Sequence, residues 1–170
     1  MTAAAADAVS LSFLSGFAGP VVAWAATGDP WWLWLLAGLF GANATVAAAK
    51  EATRWAGVRS GLLVRPVEAR GCDAFCVAGA SGGAPGFPSG HMTTVAMVVA
   101  GAWLGLKSDG LRLLVVLLGV PWIAAMAWAR WAKRCHTVLQ IMAGALWGFT
   151  VAAAIGLVSG RVQLVQHLSD

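Results

Sequence analysis

The sequence has few charged side chains: Lys, Arg, Asp and Glu make up 11% of its 170 residues. An ordinary soluble domain carries about 25%. The apolar fraction is 59%, with 10 tryptophans, and a soluble fold of this length could not bury so much apolar surface. The composition excludes a cytosolic globular domain, a disordered chain and a collagen-like fibre. It indicates an integral membrane protein.

Acidic side chains and cysteines are also scarce, with 7 Asp and Glu and 3 Cys. The few acids form no metal-binding cluster, so we expect no metal and no cofactor. The net charge is +4, but the basic residues stand at the ends of apolar segments or in one loop. We therefore expect them to bind anionic phosphate and not nucleic acid. For Cys72 and Cys76 we expect free thiols, with a disulfide between them as the alternative.

Five apolar segments are candidate membrane-spanning helices, each of which needs about 20 residues to cross a bilayer. They cover residues 8–28, 31–49, 92–106, 111–129 and 136–158. The third is short and is expected to begin at or before Ser89. No basic residue or cleavage motif marks the start as a signal peptide, so we expect the first segment to remain. The prediction is one all-α domain over residues 1–170, a polytopic membrane helical bundle with about five transmembrane helices.

One long loop, residues 56–90, is rich in Gly and Arg and cannot span a membrane. Long loops in compact folds are usually functional, and here we expect a phosphate-binding loop. The order of the spans places it on the same membrane face as the basic loop 129–136. The side chains expected to meet at that face are Arg65, Ser89, His91, Arg130 and His136.

Pro88, Ser89, Gly90 and His91 stand where this loop enters an apolar helix. Ser89 is a candidate N-cap, and Gly90 lets a ligand approach the backbone. A helix N-terminus attracts phosphate, and His91 could exchange a proton with it near neutral pH. The alternative is a capped helix with an interfacial histidine. His167, in the polar tail, is expected to be a solvated surface residue.

A second group follows at the next loop, where Arg130 and His136 bracket a turn. Gln140 lies one helical turn after His136, so its amide oxygen could accept a hydrogen bond from the imidazole and fix its tautomer. The alternative is a basic loop that sets topology, with Gln140 packed between helices. Arg65, before Pro66, could bind phosphate through its bidentate guanidinium, or it could be an ordinary loop residue.

Taken in order, Arg-Pro at 65–66, Pro-Ser-Gly-His at 88–91 and Arg-x5-His at 130–136 resemble the type 2 phosphatidic acid phosphatase superfamily. This family includes lipid phosphate phosphatases and the undecaprenyl and dolichyl diphosphatases. The resemblance runs from about residue 50 to about residue 150, which we take as the motif-bearing core.

The chain departs from the family pattern at two positions. Gln140 replaces the usual acid of the third motif, and the run His-Thr-Val-Leu-Gln at 136–140 resembles the dolichyl-diphosphatase branch, where Gln is usual. The first motif normally has a lysine where this chain has Val58. Arg59 or Lys50 is the possible substitute.

The resemblance implies a metal-independent phosphatase at the lumenal or periplasmic face, whereas the positive-inside rule alone would place the basic face in the cytoplasm. His136 would form a phosphohistidine, His91 would transfer protons, and Gln140 would orient His136. The groups implied to hold the phosphoryl oxygens are Arg65, Arg130, Ser89 and Gly90. The expected partners are membrane lipids and a substrate that is a lipid phosphate or a polyprenyl or dolichyl diphosphate. Alternatives are a catalytically silent homologue that binds phosphate lipids, and a small membrane transporter or assembly protein.

Overall fold

The structure is a computed structural model that describes residues 2–59, 61–73, 75–76 and 79–161. The α-helices of these ranges are α1 (Ala3–Leu11), α2 (Ser15–Thr27), α3 (Trp31–Trp55), α4 (Gly90–Gly105), α5 (Asp109–Ala132) and α6 (Val138–Val158). A 3-10 turn, Ser12–Leu14, joins α1 and α2 into one rod. The described ranges contain isolated β-bridges but no strand, so the all-α prediction is confirmed.

Helices long and apolar enough to cross a membrane are Ala3–Thr27, Trp31–Trp55, Asp109–Ala132 and Val138–Val158. The chain is therefore an integral, multi-pass membrane protein. The remaining predicted span, α4, starts at Gly90, one residue after the latest expected start at Ser89, and has only 16 residues. At 1.5 Å per residue it is about 24 Å long, shorter than the hydrocarbon core of about 30 Å. In the described residues, the predicted five spans are thus four full-length helices and one short helix.

The short helix α4 occupies the centre of the bundle and packs against α3, α5 and α6. Glycines of α6 allow the closest of these contacts. A Cβ atom at Gly144 would lie 2.4 Å from the Ser89 carbonyl oxygen, and one at Gly148 would lie 2.3 Å from that of Thr93. Small residues let membrane helices approach this closely. The start of α4 is consequently held against the start of α6.

The loop between α3 and α4 covers the end of the bundle where α4 and α6 begin. Its described residues are ordered by backbone contacts, including antiparallel bridges between Val64 and Pro85 and between Arg70 and Ala80. This agrees with the predicted common face. The predicted end of the fourth segment at residue 129 was wrong: α5 continues to Ala132, so Arg130 belongs to its last turn and not to a loop.

The cysteines pair differently from either expectation. Cys72 forms a disulfide with Cys135, 63 residues away, and Cys76 is free. The expectation that Cys72 is either unpaired or bonded to Cys76 was therefore wrong. The loop folds back over the turn between α5 and α6, which brings two distant cysteines to a Cα–Cα distance of 5.4 Å. His167 lies outside the described residues.

Candidate active site

A cavity of about 300 Å³ opens among these helix ends and the loop. It takes lining residues from α3, from the loop, from α4 and from the turn before α6. The polar side chains and the glycine that line it are Asn43, Lys50, Arg65, Asp73, Gly90, His91 and His136. The structure therefore brings both predicted histidines and one predicted arginine to one cavity.

His136 is 2% exposed and stands between Arg130 and the start of α6. Its backbone N–H donates to the carbonyl of Arg130 (3.3 Å). Its ring Nδ1 lies 3.2 Å from Oε1 of Gln140, which is the predicted hydrogen bond. The same Oε1 accepts from the backbone N–H of Thr137 (3.2 Å), in a capping box at the start of α6.

The nitrogen end of the Gln140 amide is also fully used. Nε2 donates to the carbonyls of Leu62 (2.7 Å) and Val64 (2.8 Å) in the loop. The two acceptors identify this end of the amide as the NH₂ group, so Oε1 must accept from His136. His136 Nδ1 therefore carries the proton, and Nε2 keeps its lone pair for a ligand.

Four buried polar atoms at this end of the bundle have no hydrogen-bond partner, and they are the unpartnered ones among the described residues. They are Arg65 Nε, Ser89 Oγ, His91 Nε2 and Arg130 Nε. Burial of such atoms costs roughly 1–3 kcal/mol each, so native folds rarely leave them unsatisfied. All four belong to residues that the motifs singled out. A phosphoryl group, whose oxygens accept several hydrogen bonds, fits this donor set.

Ser89 carries one of these unpartnered atoms, its hydroxyl oxygen. It occupies the N-cap position of α4, as expected, but its hydroxyl makes no capping hydrogen bond. Its backbone N–H donates to the Gln140 carbonyl (3.1 Å), and the residue is fully buried. The hydroxyl that would ordinarily cap the helix is therefore left available to a ligand.

Arg130 is fully buried and held from two sides. Nη1 donates to the Ser10 hydroxyl (3.2 Å), and Nη2 donates to the Cys72 carbonyl (3.2 Å). These contacts orient the guanidinium, and Nε stays unpartnered. A guanidinium held in this way can present a fixed donor to an oxyanion.

The two candidate substitutes for the family lysine lie in different surroundings. Lys50, in the last turns of α3, lines the cavity beside Arg65 and both histidines. Arg59 is exposed and is not a lining residue. The position of Lys50 follows from the length of α3, which carries the lysine to the level of the loop.

The cavity is strongly cationic, and this affects its titratable groups. Burial lowers the pKa of Arg65, and Asp73 opposes that shift. Burial, then the cations of Arg130, Lys50 and Arg65, lower the pKa of His136 well below its usual value of 6.5. His136 is therefore neutral at pH 7 in the free protein, with an imidazole lone pair available to a ligand.

Sequence reasoning missed two residues of the first apolar segment. Phe13 lines the cavity, and its ring centroid lies 4.3 Å from that of His91. Ser10 contacts Arg130, as described above. Neither residue belongs to a motif, so no signal in the sequence could have found them.

Fold and site together define an integral membrane helical bundle with a cationic cavity that holds two histidines. A family model, the PAP2 superfamily, matches residues 31–163. The chain belongs to the PAP2 superfamily, whose members are phosphatases, and this supports a phosphoric ester hydrolase. Comparisons with curated proteins and with solved structures gave no significant match.

Proposed function

We propose that the protein hydrolyses a lipid phosphate, and that its substrate is a polyprenyl or dolichyl diphosphate. The observation that carries this proposal is the set of four unpartnered buried atoms around a neutral histidine with a fixed tautomer. Buried polar atoms without a hydrogen-bond partner are costly, and the oxygens of a phosphoryl group would supply acceptors for the Arg65, Arg130 and Ser89 donors. The resemblance of residues 136–140 to the dolichyl-diphosphatase branch favours the diphosphate.

In the first step, Nε2 of His136 attacks phosphorus. The bond from phosphorus to the leaving oxygen breaks, and His91, which enters this step as an imidazolium ion stabilised by the bound phosphate, protonates that oxygen and becomes neutral. The Arg65, Arg130 and Ser89 donors stabilise the charge on the equatorial oxygens. The products of this step are the lipid monophosphate and a phosphohistidine.

In the second step, the neutral His91 removes a proton from water and becomes imidazolium again, and the water oxygen attacks the phosphohistidine. The nitrogen–phosphorus bond breaks, inorganic phosphate leaves, and His136 is neutral again. His91 suits both steps because its Nε2 is buried and free of protein partners in the described residues. Gln140 keeps Nε2 of His136 directed at phosphorus throughout.

An apolar groove beside the cavity supports a substrate with a hydrocarbon tail. The groove has a volume of about 440 Å³ and runs between α3 and α6. Val46 lines both spaces, and Pro88 of the groove directly precedes Ser89. Trp147 Nε1 donates to Thr45 Oγ1 (2.9 Å) across it. A phosphate head in the cavity and a tail in the groove would match the two linings.

The disulfide supports a lumenal or periplasmic active site. Cys72–Cys135 lies at the cavity end of the molecule, and disulfides persist in oxidising compartments. The far end of α6 then faces the cytosol. A fluorescent protein that folds only in the cytosol, fused to the C-terminus, should fluoresce; a dark but fully expressed fusion would contradict this orientation.

The first test is phosphate release from a long-chain prenyl diphosphate in detergent, with chelator present. Wild type, His136→Ala and vanadate-treated samples are compared. We expect chelator-resistant, vanadate-sensitive release that is lost in His136→Ala. Absence of release from this lipid and from phosphatidic acid would overturn the proposal and favour a silent phosphate-lipid-binding homologue.

A further inference from the structure

The N-terminal span, Ala3–Thr27, precedes the residues matched by the family model. It nevertheless contributes side chains to the cavity end of the bundle. Asp7 forms an ion pair with Lys133, Ser10 contacts Arg130, and Phe13 contacts His91. The span therefore touches two of the residues to which the proposed mechanism assigns roles.

Ser10 contacts Arg130 in a buried environment. Both residues are fully buried, and the hydroxyl accepts from Nη1 at 3.2 Å. The other guanidinium contact, to the Cys72 carbonyl, comes from the loop. Ser10 therefore supplies the half of the restraint that is independent of the loop, and it helps to determine where Nε of Arg130 points.

Phe13 packs on the ring of His91. The two ring centroids are 4.3 Å apart with an angle of 45° between the planes, and Phe13 is 7% exposed. This contact limits rotation of the imidazole and keeps water from that side of it. The unpartnered Nε2 of His91 is then held in one direction.

We propose that Ser10 and Phe13 are positioning residues for phosphoryl transfer, Ser10 through Arg130 and Phe13 through His91. This inference rests on the proposed function. It makes the N-terminal span a working part of the active site, in addition to a membrane anchor.

Ser12 provides a matched control for Ser10. Its hydroxyl accepts from Trp122 Nε1 (2.8 Å), so it also joins the N-terminal span to α5, but away from the cavity. We expect Ser10→Ala to lower kcat/KM about tenfold and to weaken vanadate inhibition in parallel, because a hydrogen bond to a charged group is lost. Ser12→Ala should leave both values near wild type.

Phe17 provides the control for Phe13, since it lies on the same span and packs on Phe13 and Phe40. The substrates are phenyl phosphate and p-nitrophenyl phosphate, which differ mainly in leaving group. Phe13→Leu should slow phenyl phosphate at least fivefold more than p-nitrophenyl phosphate, because the poor leaving group depends on the general acid. Phe17→Leu should slow both equally, if at all.

Failure of the positioning role and failure of the proposed function would give different results. A wild type that releases phosphate from neither the prenyl diphosphate nor phosphatidic acid would overturn the proposed function. An active wild type in which Ser10→Ala matches Ser12→Ala, or in which Phe13→Leu shows no dependence on leaving group, would overturn the positioning role. Melting temperatures of all four variants identify any loss that is only structural.

Discussion

At the scale of single residues, Gln140 uses both ends of its amide. Oε1 accepts from His136, and Nε2 donates to Leu62 and Val64. A carboxylate could serve His136 but could not donate to the two carbonyls. The amide in this chain therefore joins His136 to the loop that carries Arg65.

The change Gln140→Glu tests this reading with a side chain of nearly the same shape. It would set a carboxylate oxygen against two carbonyl oxygens, which leaves two acceptors without a donor. We expect kcat/KM to fall at least tenfold and the melting temperature to drop. Phosphate release and thermal unfolding in detergent measure both. An unchanged or raised kcat/KM would mean that orientation of His136 is the only role of this position.

A second prediction concerns pH. The pKa of His136 in the folded protein lies well below 6.5, whereas in the unfolded chain it is about 6.5. Below that pH the unfolded chain binds the extra proton, so stability falls as pH decreases, by at most about 1.4 kcal/mol per pH unit for one group. The melting temperature should drop from pH 7.5 to 5.5.

The variant His136→Asn tests whether His136 causes this pH dependence of the melting temperature. It removes the titrating group, so its melting temperature should fall less than that of wild type over the same interval. Equal slopes in the two proteins would show that other groups cause the pH dependence. Vanadate is left out of these measurements because an anion in the cavity would stabilise the protonated histidine.

At the scale of elements, the site depends on the contact between α4 and α6. Each helix begins at the cavity, and glycines of α6 let α4 approach within backbone contact. Ser89 and His91 at the start of α4 are thereby placed beside His136 and Gln140 at the start of α6. Glycine is a poor helix former, so helix propensity does not explain the glycines of α6. The close approach of α4 does.

The substitution Gly148→Ala would place a Cβ 2.3 Å from the carbonyl oxygen of Thr93. Because backbone must move to admit it, we expect a loss of about 1–3 kcal/mol in stability and reduced activity. The control is Gly41→Ala in α3, where an added Cβ has no atom within 4 Å in the described part of the chain. Melting temperatures should separate the two variants, and equal values would contradict the close contact.

At the scale of the whole molecule, a cationic cavity and an apolar groove lie side by side. The cavity belongs to the end of the bundle, and the groove belongs to its side, between α3 and α6. This arrangement suits an amphiphile that stays in the bilayer while its head group reacts. The contributions of the cavity and of the groove can therefore be tested separately.

Ala143 lines the groove, and Ala143→Phe would fill part of it. We expect turnover of a long-chain prenyl diphosphate to fall at least tenfold, while p-nitrophenyl phosphate is hydrolysed at the wild-type rate. Ala124→Phe, at an exposed position of α5, is the control. Equal effects of Ala143→Phe on both substrates would assign the groove to helix packing and not to the lipid tail.

The sequence by itself determined the class of protein, most helix positions and the motif residues. Long apolar runs of this kind are stable only within a membrane. The motifs can be read from the sequence because each is a short run of neighbouring residues. The hydrogen bond between His136 and Gln140 was also predictable, because residues four apart on a helix are neighbours. The family resemblance rested on the same local runs.

Only the tertiary structure decided the remaining features of the site. It placed Lys50, and not Arg59, at the cavity, paired Cys72 with Cys135, and gave Gln140 its two loop acceptors. It also brought Ser10 to Arg130 across 120 residues of sequence. These contacts depend on how helices pack and where the loop folds back, and a contact between distant residues leaves no periodic or local pattern in the chain.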